Sequence, residues 1–354
     1  MLAAILAVGM GQARSAQATE PAAQSCAPSQ GLGYVCGPVG SEDLARIRGT
    51  RWLVVSGMNL GAPAHLDLID TRAKAARPLF PVGAPVVRPD PRLGSDCPGP
   101  PDVAAISMDG LGIRAGRRGR STLYAANHGD RQAIEMFSID ARGPAPRATW
   151  IGCAPMPAHT LANAVTPLPD GGLVVVSFHD PDDKDAWAKM ARGEATGSVW
   201  EWHAGRGFRR LETGPISGGN GVETSADGRT LYVSAWSGRL LLVMDLKTGA
   251  RRTIPLDFLP DNIKRAPDGG LYVGGQRASV EAIAACHGPS CPQPWIIARV
   301  DPVSGAVTPL ITRPGSPEIN YACGALQVGD TLYITARADR RVAYAPLASL
   351  PSLQ

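Results

Sequence analysis

Acids and amides recur in this 354-residue chain at a shared distance ahead of short hydrophobic runs: Glu42, Asp109, Asn163, Asn220 and the pair Asp261-Asn262. Each stands nine to fourteen residues before a run of the Leu-Tyr-Val type, at Leu53, Leu123, Leu173, Leu231 and Leu271. A sixth run, at Leu332, is assigned no such partner. Any one Asn or Asp is an ordinary turn former. The common phase is what sets these apart, because turn residues have no reason to keep step with distant strands. Carboxylates and carboxamides converging from different parts of a fold offer hard oxygen ligands of mixed charge, the set that calcium prefers. Softer transition metals want His or Cys instead.

The elements that must position these side chains are strands. Each Leu-centred run is followed by a second alternating run, such as His65 to Asp70, Ser198 to His203, Arg239 to Leu246 and Val342 to Leu347, which predicts hairpins inside a larger sheet. Pro169-Asp170-Gly171-Gly172, Ala226-Asp227-Gly228 and Pro267-Asp268-Gly269-Gly270 supply turns before strands. The unit repeats every 40 to 70 residues or so, the period of a propeller blade. The predicted fold is all-β, a six-bladed β-propeller with a central calcium site. The Leu-Tyr-Val strands are read as the channel strands, with the acids and amides at their approach. With 41 Gly and 32 Pro there is little room for long helices. One short helix is expected over Asp182 to Ala195, where acids gather at its start.

A formal charge of +4 is modest, and the basic run Arg114, Arg117, Arg118, Arg120 has no interleaved aromatics, so it reads as a solvated hairpin tip and no nucleic-acid partner is expected. The apolar stretch Leu2 to Met10, followed by Ser15-Ala16-Gln17-Ala18, fits an export signal over residues 1–18. The remainder, 19–354, is expected to be a single propeller domain. No later run is long enough to span a bilayer, so no stable membrane insertion is expected. Seven cysteines point to an oxidising compartment, periplasmic or secreted. Cys286 and Cys291 are close enough to staple one loop and Cys97 with Cys153 could tie the loop entrances around the second blade, pairings that spacing alone does not prove, and the odd count leaves at least one thiol free or intermolecular.

Gly40-Ser41-Glu42-Asp43-Leu44, Ala126-Asn127-His128, Gly219-Asn220-Gly221-Val222, Ala226-Asp227-Gly228-Arg229-Thr230-Leu231-Tyr232-Val233 and Asp261-Asn262-Ile263 together resemble the paraoxonase/arylesterase family of calcium-dependent six-bladed propellers. Related gluconolactonase (senescence-marker) and strictosidine-synthase-like propellers share the Asn-Gly and Asp-Asn signatures. The resemblance implies a catalytic calcium held by Glu42, Asn163, Asn220, Asp261 and Asn262. It also implies a second, structural calcium on Asp43 and the Leu111 carbonyl, but Ala164 stands where that site's other acid belongs. His128 matches the partner of a catalytic histidine, while Asp109 replaces the base itself, nineteen residues upstream. Either Asp109 is the base, or it orients His128, or the chemistry is altered or absent. His179 falls where the family has a histidine at the channel mouth, a substrate contact.

The activity implied is calcium-dependent hydrolysis of a small lactone or activated aryl ester, with water activated by Asp109, His128 or both. No Gly-x-Ser-x-Gly elbow is present, which removes the usual serine esterase route. Two alternatives stand beside it: a gluconolactonase-like sugar lactonase, and a non-catalytic propeller in which calcium only locks the blades of a binding or scaffold protein.

Overall fold

The computed structural model describes residues 26–59, 64–93, 96–286, 292–316, 318–337 and 340–351. The export-type segment 1–18 lies outside them, as does Cys291, the expected partner of Cys286. Six four-stranded antiparallel sheets follow one another along the chain. The innermost strands are Ser41–Arg46, Met108–Ala115, Ala162–Pro167, Gly219–Thr224, Leu259–Arg265 and Ala322–Val328. Each touches the next, and the sixth returns to the first, so the sheets form a closed six-bladed β-propeller. The sixth blade takes its outermost strand, Gly33–Cys36, from the N-terminal end, paired with Arg341–Pro346 from Gly33 opposite Tyr344 to Cys36 opposite Arg341. The Ser41 hydroxyl donates to the Arg341 carbonyl at 2.9 Å and adds to the same closure.

The Leu-Tyr-Val runs occupy a different place from the one expected. They are the second strand of each blade, as in Thr230–Ala235, Leu271–Gln276 and Thr331–Ala336. The strands that line the channel are the polar segments ahead of them, rich in Gly, Asn and Asp. Their low β-propensity hides them from a pattern search. Burial on both faces explains the apolar runs. Leu231 and Val233 pack toward the third blade, while Tyr232 between them packs toward the fifth. Leu271, Val273 and Tyr272 repeat this one blade on, and so do Leu332, Ile334 and Tyr333. Successive side chains of a strand point to opposite faces, so a blade wedged between two others needs both parities apolar. Each fully buried side chain of this kind contributes roughly 2 kcal/mol.

Among the described residues Cys26–Cys36 and Cys97–Cys153 form disulfides, which fits an oxidising compartment. The second ties the segment before blade two to that blade's outermost strand, Arg147–Pro155, one of the two pairings the spacing allowed. The expected helix is shorter, Ala186–Ala191, and a second one, Val280–Ala284, packs against it. No helix of the described residues is long and apolar enough to cross a membrane.

Candidate metal centre

Every innermost strand breaks register with its neighbour at one point. The unpaired residues are Glu42-Asp43, Asp109-Gly110, Asn163, Asn220-Gly221, Asp261-Asn262 and Cys323. A β-bulge bends the strand and re-aims a side chain, and here six bulges at one height serve one axis. All the acids and amides singled out from the sequence lie in them. Close approach of the strands is built in: a Cβ on Gly110 would lie 2.5 Å from the Ala164 Cα, and one on Gly221 would lie 2.4 Å from the Asp261 carbonyl oxygen.

Five buried oxygens in these bulges accept no hydrogen bond: Glu42 Oε2, Asp109 Oδ1, Asn163 Oδ1, Asn220 Oδ1 and Asp261 Oδ1. Buried acceptors are normally paired, and an orphan costs about 1–3 kcal/mol. Five orphans from five blades, three on carboxyl groups and two on amides, form a donor set complementary to a hard divalent cation. The residues therefore fit calcium. Asn262 plays another part. Its Nδ2 donates to Glu42 Oε1 at 2.8 Å, which holds the Glu42 carboxylate and frees Oε2.

Charge crowding agrees with this geometry. Burial first, and then the neighbouring Asp109 and Asp43, push Glu42 well above the usual carboxylate range. Burial and then Glu42 do the same to Asp261. Asp109 is raised to about 7, chiefly by burial, with Arg337 opposing. Like charges confined in low dielectric cannot all ionise unless a cation joins them. Arg337, which stacks 4.8 Å over the Tyr321 ring, had no sequence signal.

Asp109 and His128 meet. His128 follows the strand Arg120–Asn127 directly; its backbone N–H donates to the Ser107 carbonyl at 2.9 Å, and Asn127 Oδ1 accepts from the Ser107 and Gly129 N–H groups. This clamp sets the ring beside the innermost strand of its own blade, Met108–Ala115. His128 Nε2 lies 2.6 Å from Asp109 Oδ2, and Nδ1 lies 3.1 Å from Gln132 Oε1. An amide oxygen only accepts, so Nδ1 carries a proton, and one further proton lies between Nε2 and Oδ2. Burial lowers His128 and raises Asp109. Both directions favour a neutral imidazole accepting from a neutral acid. Asn163 Nδ2 also reaches Asp109 Oδ2, at 3.3 Å.

His179 is half-buried just after the strand Leu173–Ser177. Its Nδ1 bonds the Asp180 carbonyl at 2.7 Å, and its ring leans on Phe178, which joins Trp187 and Trp236 in an aromatic group. The two short helices and this group pack over one side of the ring of bulges, down to Cys323. Gln276, which the sequence reading passed over, is fully buried. It accepts from Trp236 Nε1 at 2.9 Å and donates to Asp261 Oδ2 at 2.9 Å, so Asp261 keeps one oxygen for the centre.

The second calcium position is already filled by a side chain. Lys264 Nζ lies 2.6 Å from Asp43 Oδ2 and 2.9 Å from the Leu111 carbonyl oxygen. The Leu44 and Leu111 N–H groups donate to the two Asp43 oxygens, each at 2.7 Å. Ala164, buried against Gly110, offers no side-chain ligand. These residues do not fit a second ion. Beyond Lys264, toward the far ends of the inner strands, lies a cavity of about 860 Å³ walled by residues such as Arg46, Arg114, Thr166 and Arg265. None of the five orphan oxygens belongs to its lining.

No protein-family model matches the chain, and no curated protein matches it. Solved structures do. A gluconolactonase from Xanthomonas campestris is 19% identical, with a TM-score of 0.56 over 90% of this chain and 89% of that one. A luciferin-regenerating enzyme is 14% identical, TM-score 0.56, over 91% and 98%. A calcium-binding regucalcin from Agrobacterium tumefaciens is 12% identical, TM-score 0.53, over 88% and 92%. What is shared is the fold. These neighbours belong to the gluconolactonase- and regucalcin-like propellers, the group that the sequence motifs ranked behind the paraoxonases.

Proposed function

We propose that the chain is a calcium-dependent hydrolase of lactones or activated esters. The observation that carries this is the set of five orphan oxygens beside an aspartate–histidine pair. Glu42, Asn163, Asn220 and Asp261 would hold the ion, with Asn262 and Gln276 orienting two of them. When bound, the calcium supplies charge that polarises the carbonyl and offsets the oxyanion.

Asp109 is the general base in its carboxylate form, which the charge of a bound cation would favour over the neutral acid of the metal-free site. Its Oδ1 faces the centre without a partner, while Oδ2 stays bonded to His128. As the water oxygen bonds to the carbonyl carbon, the water proton passes to the Asp109–His128 pair. When the ring C–O bond breaks, that proton goes to the leaving alkoxide, and the pair is restored. Gln132 keeps the imidazole turned so that Nε2 serves this exchange. His179 and the aromatic group beside it contact substrate. Two of the similar structures are described as gluconolactonases, one of them only putatively, which makes aldonolactones the first substrates to try, followed by aryl esters.

The test is a lactone and aryl-ester panel on wild type, Asp109→Asn and His128→Gln, each with and without chelator. Turnover in wild type that chelation abolishes, with at least a hundredfold loss in Asp109→Asn, is expected. If chelation lowers the melting temperature and no substrate turns over, the ion is a structural lock and the protein a scaffold.

A further inference from the structure

The sixth blade completes the ring of bulges with sulfur. Cys323 is the second residue of its innermost strand, as Glu42, Asp109, Asn163 and Asn220 are of theirs. Like them, it is the unpaired residue of a bulge, between Ala322 opposite Ala336 and Gly324 opposite Thr335. It also stands nine residues before Leu332, the distance that separates Asn262 from Leu271. Asn320 lies in the same window but turns its side-chain oxygen to the Gln293 N–H at 2.7 Å.

Cys323 is buried and is the free cysteine of the described residues. Its Sγ and carboxylate oxygens of Glu42 and Asp261 all lie within 4.8 Å of one another. Those two acids are themselves almost wholly buried, and each has an oxygen without a partner. The thiol donates to the Tyr321 carbonyl at 3.3 Å, and the Arg337 backbone N–H is directed at the sulfur.

We infer that the centre has a second, mutually exclusive binding mode, in which Glu42, Asp261 and Cys323 hold a thiophilic divalent ion such as zinc or cadmium. The oxygen mode draws on blades one, three, four and five, whereas the sulfur mode draws on the adjacent blades five, six and one. Both need Glu42 and Asp261, so one ion displaces the other. Calcium has little affinity for sulfur, while zinc and cadmium gain from a thiolate. Two carboxylates and one thiolate leave a fourth position open, as in zinc sites with three protein ligands. On ligation the Sγ–H bond breaks, its proton leaves to solvent, and the sulfur–metal bond forms; no oxidant or reductant takes part.

This inference shares the oxygen cage with the calcium proposal, so the experiment keeps the two apart. Metal-free protein is titrated with cadmium while the ultraviolet sulfur-to-cadmium charge-transfer band is followed, and separately with calcium by calorimetry. The expected result is a band that saturates at one equivalent, is absent in Cys323→Ser, and is bleached by excess calcium. X-ray absorption of the cadmium-loaded wild type is expected to show a single sulfur neighbour among oxygens, a readout that does not depend on the variant folding. Calcium binding without any cadmium–sulfur band overturns the sulfur mode and leaves the calcium cage standing. A band that persists in Cys323→Ser overturns it as well. Binding of neither ion overturns both.

Discussion

Glu42 and Asp43 are neighbours in sequence, share one bulge and are equally hidden from water, yet the fold treats them in opposite ways. Glu42 keeps an oxygen with no partner and is pushed toward its protonated form. Asp43 has both oxygens bonded, one of them to the Lys264 ammonium that reaches across from the fifth blade. A buried anion must have a cation or give up its charge. Asp43 has a cation within the chain, while Glu42 and its companions are arranged for one from outside. Asp67 shows what happens with neither: buried in the third strand of the first blade, it rises to about 6 through burial alone.

The strongest attack on this contrast is to remove an oxygen from the centre. Asp261→Ala is expected to lower lactone or ester turnover by about a thousandfold and to abolish the rise in melting temperature on adding calcium, read by parallel kinetics and thermal scans. Lys264→Met strands the Asp43 charge and is expected to cost about 3–5 kcal/mol in urea unfolding. Adding Asp43→Asn to it should recover part of that loss, since the stranded charge is then gone. If Lys264→Met alone is neutral, the lysine is not the cation that Asp43 needs.

The Asp67 case sharpens the comparison through pH. Its folded value lies above its ordinary 3.8, so the fold favours the neutral acid. Stability is therefore highest below pH 4 or so, falls as pH rises through about 6, and is then level. A shift of two units corresponds to about 3 kcal/mol. Asp67→Asn is expected to be more stable than wild type by up to that amount at pH 7.5, with the gap closing toward pH 4. The smallest effect concerns Gln276, which holds one oxygen of Asp261: Gln276→Leu is expected to weaken calcium binding about tenfold, measured by calorimetry.

Much of this was legible in the sequence, and the rest was hidden for physical reasons. The second and third strands announced themselves because both faces of a blade are buried, which forces runs such as Leu173-Val174-Val175-Val176. The innermost strands did not, since segments such as Gly219-Asn220-Gly221 are chosen for close backbone approach and ligand display rather than for β-propensity. The phase relation still found every acid and amide of the bulges except Asp43, although it placed them before the channel strands rather than within them. Cys323 escaped because the search was for oxygen. Lys264 escaped because a cation that replaces an ion leaves no motif, and the closure of the ring by Gly33–Cys36 pairs segments some 300 residues apart.

One measurement bears most directly on the cage. Metal-free wild type, Asp261→Ala and Lys264→Met should each be equilibrated with calcium, and the bound ion counted per chain by elemental analysis. One ion is predicted for wild type, none for Asp261→Ala and at least one for Lys264→Met. Two tightly held ions in wild type, or an undiminished count in Asp261→Ala, would contradict the assignment of a single calcium to Glu42, Asn163, Asn220 and Asp261.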